Sequence, residues 1–155
     1  MSRLNSKFDI LRGFPKEGAI DESFGIHQTT PGTDDSLPAG TVIKVGTDGK
    51  AVAATTPARN AANAVKTWVV IEGNDDYSAQ FVSKVVCLRS NAMLRLDPAN
   101  FNAGSYTPGT ALTFSAGKWQ PAVTNDQVIG SVLADNTATD GTIVVMYDGG
   151  DTAML

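Results

Sequence analysis

From residue 37 onward, apolar and polar positions alternate in short runs, which are separated by clusters of Gly, Pro, Asn and Asp. Alternation with a period of two is typical of strands that bury one face. The pattern therefore predicts an all-β domain, a small β-barrel or sandwich built of short antiparallel strands and hairpins. The predicted strands, about nine in number, cover residues 41–45, 51–55, 66–72, 79–90, 92–96, 110–114, 119–123, 127–135 and 142–147.

Two of the predicted hairpins resemble each other, at residues 38–55 and 107–123. Each begins near a Pro and a Gly-Thr, alternates, turns at a Gly-Lys and leaves on a second apolar stretch. Turns of this kind favour tight hairpins. Two interpretations follow: any two hairpins look alike by chance, or the chain repeats a β-unit that closes one small barrel or sandwich.

Residues 1–36 have a different pattern, in which isolated large apolar residues are mixed with Gly, Pro and charged residues. Leu4, Phe8 and Leu11 have the spacing of one short amphipathic helix, but no period continues beyond Phe14. We predict an extended N-terminal arm over residues 1–36, followed by a single β domain over 37–155. The apolar anchors of the arm are Phe8, Ile10, Leu11, Phe14, Ile20 and Phe24.

Composition limits the classes of partner. The formal net charge of the 155-residue chain is −4, and its Lys and Arg residues are not clustered, which argues against nucleic acid as the main partner. No apolar run has the ~20 residues that a membrane span needs, and the N-terminus lacks a signal-peptide pattern. The expectation is a soluble, non-secreted chain. The single Cys87 fits synthesis in a reducing cytoplasm.

Few residues have the spacing of a catalytic or metal site, so we predict no enzyme activity, no metal and no cofactor. His27 is the only histidine and is predicted to be a loop or interface residue. Cys87 lies in a predicted strand and is expected to be a small core residue. The acidic groups are expected to form turns, and they are Asp34-Asp35, Asp75-Asp76, Asp135 with Asp140, and Asp148 with Asp151.

Aromatic residues offer one further kind of site. Trp68 lies in an apolar strand and is predicted to be in the core. Trp119 follows the Gly117-Lys118 turn, where it is either a core residue or a contact at the hairpin tip. Trp119 and Tyr106 are therefore the candidates for a surface aromatic contact.

The order of these motifs resembles that of the head decoration, or cement, proteins of tailed bacteriophages. The resemblance covers roughly residues 37–150 and is clearest toward the C-terminus. It does not account for the predicted strand pair at 79–96. The matching motifs are Pro108-Gly109-Thr110, Gly117-Lys118, Val128-Ile129-Gly130-Ser131-Val132 and Ile143-Val144-Val145.

The resemblance implies a structural protein of the virion, without catalytic activity, that is made in the host cytoplasm and binds the outer surface of a capsid shell. The implied partners are the major capsid protein, whose subunits it would bridge, and the protein itself as a homodimer or homotrimer. Phe8, Ile10, Leu11, Phe14 and Phe24 would then contact a capsid neighbour or a sister protomer. Alternatively, they pack on their own domain.

Two other functions are weaker alternatives. A carbohydrate-binding β module would need an exposed aromatic platform, for which Trp119 and Tyr106 are the candidates. A small hydrolase would depend on His27.

Overall fold

The computed structural model describes residues 7–14, 22–55, 57, 63–74, 84–89, 91–134, 141–148 and 153–154. Strands form most of the described chain, and a 3-10 turn lies at Pro98–Asn100. The strands are β1 (Asp9–Phe14), β2 (Glu22–Gly25), β3 (Val42–Val45), β4 (Ala51–Ala53), β5 (Trp68–Glu72), β6 (Lys84–Leu88), β7 (Asn91–Leu96), β8 (Ala111–Ser115), β9 (Lys118–Pro121), β10 (Gln127–Val128), β11 (Gly130–Ala134), β12 (Ile143–Asp148) and β13 (Ala153–Met154).

These strands form two main antiparallel sheets. The six-stranded sheet has the order β1-β7-β12-β11-β8-β9, the five-stranded sheet has the order β2-β6-β5-β3-β4, and β10 pairs with β13 beside them. The all-β prediction is confirmed, and the architecture is a sandwich because neither sheet closes into a barrel. The predicted strand at 79–90 is confirmed as β6 over residues 84–88, while residues 79–83 and 90 lie outside the described residues.

The main hydrophobic core lies between the two sheets. Strands β7 and β12 bury every second residue, as sheets with one solvated face do. The six-stranded sheet contributes large side chains such as Leu94 and Tyr147, and the five-stranded sheet contributes Val42 and Val69. A second cluster lies on the other face of the five-stranded sheet, and its buried members are Ile26, Leu37, Ile43, Ala51, Val70, Val85 and Cys87.

The two similar sequences form the hairpins β3–β4 and β8–β9, and each hairpin begins at the same kind of turn. Gly40 and Gly109 have φ angles of 92° and 90°. In each turn the following Thr donates a backbone hydrogen bond to the carbonyl three residues earlier, at 3.1 and 3.0 Å. Each Gly amide also donates across the sheet, Gly40 to the Val70 carbonyl at 2.7 Å and Gly109 to the Val132 carbonyl at 2.8 Å.

The correspondence extends far beyond the hairpins. The order β2-β6-β5-β3-β4 matches β7-β12-β11-β8-β9 strand for strand. The register shifts occur at corresponding places, between Val70 and Glu72 and between Val132 and Ala134. Even the isolated parallel bridges match, Ile26 with Ala51 and Phe101 with Trp119. This shared geometry supports the interpretation of a repeated β-unit, with β1 as an additional strand on the second unit.

Hydrogen bonds from the hairpin tip of the second unit connect it to the first unit. Gly117 accepts a hydrogen bond from the Val42 amide and donates one to the Ala54 carbonyl, both at 2.8 Å. Trp119, the next residue but one, donates its indole N–H to the Gly40 carbonyl at 3.0 Å. The tip therefore continues the hydrogen bonding of the five-stranded sheet at the point where β3 and β4 separate.

The described parts of the N-terminal segment include two strands. Residues 9–14 form β1, so the helix that the spacing of Leu4, Phe8 and Leu11 fitted is wrong for these residues. The expected extended backbone is present, but β1 pairs along β7 and β2 pairs along β6. Local spacing failed because the pairing partner supplies backbone hydrogen bonds that the segment's own sequence does not reveal.

Candidate interaction surfaces

The predicted contact residues of the N-terminal segment have different surroundings. Phe8 is half-buried against the core between the sheets. Phe24 packs on the second cluster and meets Trp68 edge-to-face, with 5.2 Å between ring centroids. Ile10 and Leu11 are 39% and 42% exposed. In the single chain, Phe8 and Phe24 therefore pack on their own domain, which was the alternative prediction. The backbone of Phe14 belongs to β1, and its side chain lies outside the described residues.

Contacts with β7 and its C-terminal end fix the position of β1. The Lys7 amide donates to the Asp97 carboxylate at 2.8 Å, and Arg95 Nε donates to the Lys7 carbonyl at 3.0 Å. Arg95 also pairs with Asp9 at 3.3 Å. Sequence analysis did not identify Arg95 or Asp97, because their partners are 86 to 90 residues away and no local pattern marks them.

Trp119 and Tyr106 are not surface aromatics, so that prediction is wrong. Trp119 is 0% exposed and Tyr106 is 4% exposed. The physical reason is that both have polar partners in the interior. Trp119 bonds to the Gly40 carbonyl, and the Tyr106 hydroxyl donates to the Asn102 carbonyl at 2.5 Å. A buried polar tip with a partner loses little free energy on leaving water.

Burial also changes the acidity of two tyrosines. It raises the pKa of Tyr106 to about 12. Burial raises the pKa of Tyr147 well above its ordinary value, although a hydrogen bond with Thr67 lowers it in part. Both phenols therefore remain neutral in the folded protein at a pH where they would ionise in the unfolded chain.

These pKa shifts predict a loss of stability in alkaline solution. Their contribution is complete below about pH 10, the unfolded tyrosine value, and is lost as the pH rises through the folded values. We expect the urea midpoint to fall steadily above pH 10. The variant Tyr106→Phe should weaken this dependence because it removes one of the two groups. An unchanged pH dependence in Tyr106→Phe would contradict the assignment to Tyr106.

His27 lies in a loop, as predicted, and pairs with the tip of the first hairpin. Its Nδ1 is 2.7 Å from Asp48 Oδ2, and both side chains are 38% exposed. The hydrogen bond from His27 lowers the pKa of Asp48, and a bond from the Lys50 amide adds to this effect. An exposed pair of this kind contributes little to the free energy of folding. It connects the loop after β2 to the tip of the β3–β4 hairpin.

The other candidate groups that the structure describes have structural roles, and five of the predicted turn-forming acidic residues lie outside the described residues, namely Asp75, Asp76, Asp135, Asp140 and Asp151. Cys87 is buried in the second cluster, as expected of a core residue. Asp35 bonds the amide and hydroxyl of Thr29, which is the turn-forming role expected for that acidic pair. The described residues contain no group of three or more His, Cys, Asp or Glu arranged for a metal ion. None of them belongs to a helix long and apolar enough to cross a bilayer.

A shallow cleft of about 230 Å³ lies at the seam between the two units. Thr41 and Ala53 line it from the first unit, and Asn100 and Lys118 from the second. Asn100 bonds to the Ala39 carbonyl and to the Asp97 amide. The bond of Asn100 to Ala39 therefore joins the two units across the cleft.

No protein-family model, curated protein or solved structure matches this chain.

Proposed function

We propose that this chain is a non-enzymatic structural protein of a tailed-phage virion, which binds the outside of the capsid shell and stabilises it by bridging subunits of the major capsid protein. The observation that carries the proposal is the ordered set of motifs from Pro108 to Val145. In the fold these motifs are consecutive parts of one unit: the entry turn, the hairpin tip and the strands β11 and β12.

The use of polar side chains also supports a structural role. Three buried amides bond to backbone groups that are distant in the sequence. Asn74 accepts from the Leu37 amide, Asn100 donates to the Ala39 carbonyl, and Gln127 bonds both backbone groups of Val65. Buried polar groups with complete partners specify one rigid arrangement. A rigid body is what a shell-reinforcing protein requires, because its contacts must hold several subunits at fixed spacing.

The carbohydrate-binding alternative loses its motivation. It depended on an exposed platform formed by Trp119 and Tyr106, and both rings are buried.

The test is co-sedimentation of the purified protein with expanded capsid shells of a phage whose genome encodes it. We expect saturable binding in fixed ratio to the shell protein and a higher temperature of shell disruption. Weak individual contacts suffice, since an attached oligomer increases the effective concentration of each further contact. Absence from the pellet at every salt concentration, with both components intact, would contradict the proposal.

The truncation used with this assay must respect the fold. Removing residues 1–25 would delete β1 and β2, one outer strand of each main sheet, and would therefore damage the domain. Removing residues 1–14 deletes β1 and leaves β2 on β6. This shorter truncation is the appropriate variant for testing whether the N-terminal segment contributes to shell binding.

A further inference from the structure

Strand β1 is the last strand of the six-stranded sheet, and within the described residues it pairs on one side only, with β7. A strand edge offers a row of backbone N–H and C=O groups to another chain. The contacts of Lys7 with Asp97 and Arg95 hold this edge in place. The strand is therefore presented as a preformed edge.

The side chains along this edge are unusual for a strand. The register with β7 shifts between Ile10 and Arg12, so that Ile10 and Leu11 together oppose Leu94. In a bulge of this type, two residues on one strand face a single partner. The exposed apolar side chains of Ile10 and Leu11 thus adjoin each other, and Asp9 and Arg12 lie on either side of them.

The sequence of residues 9–12 is complementary to a second copy of itself that runs in the opposite direction, in both charge and apolar character. In an antiparallel pair centred between residues 10 and 11, Ile10 lies opposite Leu11 of the other strand, and Asp9 lies opposite Arg12. Each pair occurs twice across the two-fold axis. Apolar pairs and opposite charges placed directly opposite each other both stabilise a sheet. Asp9 is 56% exposed, so its carboxylate is accessible beside Arg95.

We propose that two copies of this protein associate through β1, which pairs antiparallel with β1 of the second copy in this register. The pairing joins two six-stranded sheets into one continuous sheet across a two-fold axis. A second copy is the occupant that the sequence itself specifies, because the charged and apolar residues of β1 match those of another β1 read in the opposite direction. Two-fold dimers are also the commonest closed assembly. This inference does not depend on capsid binding.

The first test compares two variants by analytical ultracentrifugation. Leu11→Lys places a charge at the centre of the interface. Leu133→Lys makes the same change on β11 at nearly equal exposure, 40% against 42%. We expect the unaltered protein and Leu133→Lys to dimerise. In Leu11→Lys the dissociation constant should rise roughly tenfold or more, because the change enters the interface twice. A monomeric unaltered protein, or equal dissociation constants for the two variants, would overturn the proposal.

The second test examines the register and remains informative if Leu11→Lys disturbs β1. The variants Asp9→Cys and Arg12→Cys are oxidised separately and as a mixture. Directly opposed Cα atoms in an antiparallel pair are about 5 Å apart, whereas residues three positions away along a strand are separated by about 10 Å. A disulfide does not span that larger distance. The mixture alone should yield a cross-linked dimer. Efficient cross-linking of either variant by itself would show a different pairing.

Discussion

Replacing Trp119 by alanine should lower the free energy of unfolding by about 4 kcal/mol. The ring is fully buried in the core between the sheets and meets Tyr147 edge-to-face at 6.0 Å. Its indole N–H is the partner of the Gly40 carbonyl, so the substitution also leaves that buried oxygen without its donor, at about 1 kcal/mol more. Losses of this size are a large fraction of the stability of an ordinary domain.

The measurement is urea unfolding, monitored by circular dichroism, of Trp119→Ala and of two comparison variants. Trp119→Phe keeps most of the apolar volume and loses the N–H, so it should cost clearly less than alanine. Lys118→Ala changes the exposed neighbour and should change stability by less than about 0.5 kcal/mol. If Trp119→Ala unfolded at the same urea concentration as Lys118→Ala, the joining role of Trp119 between the two units would be refuted.

The central strands could be predicted from the sequence because their pattern is local. The strand β12 alternates buried and half-buried residues without interruption, and the Asp-Gly and Ala-Gly turns mark the hairpin tips. The outer strands carry no comparable signal. Strand β1 contains a register shift at Leu11, which interrupts the period of two, and β10 and β13 have two residues each.

The positions of the site residues depended on contacts between distant parts of the chain. The sequence left Trp119 open between core and surface, and its partner Gly40 lies 79 residues earlier. The pairing of His27 with Asp48 joins a loop to a hairpin tip 21 residues away. Neither relation has a periodicity. The Trp119 bond depends on how the second unit lies against the first, and the His27 pair depends on how the loop after β2 lies against the β3–β4 hairpin within the first unit.

The sequence similarity of the two units also conceals an exchange of large and small residues. Within the matching strand pairs, Ile43 lies opposite Trp68 in the first unit, and Leu112 lies opposite Gly130 in the second. Trp119 in turn corresponds to Ala51 through the parallel bridges. Each unit therefore has one tryptophan, but on different strands, and Gly130 provides the space that the second arrangement needs.

Gly130→Ala should accordingly cost about 3 kcal/mol or more, although the new side chain is a single methyl group. A Cβ at residue 130 would overlap the backbone carbonyl of Met146 and approach the Trp119 ring at 3.4 Å. Strand β11 cannot move away, because Gly130 pairs with Leu112 on one side and with Tyr147 on the other. The substitution must therefore separate strands in the middle of the six-stranded sheet.

The control is Gly49→Ala, at a position where the backbone conformation is unfavourable for alanine but the space for a side chain is open. Gly49 has a φ of 75°, a conformation that costs an alanine about 1 kcal/mol, but nothing lies within 4 Å of the added atom. Urea midpoints of the two variants should therefore differ strongly, with Gly130→Ala the less stable. Tryptophan fluorescence should also change in Gly130→Ala, because the Trp119 ring adjoins the new methyl group. Equal destabilisation of both variants would mean that backbone conformation, and not space beside Met146, determines the need for glycine at residue 130.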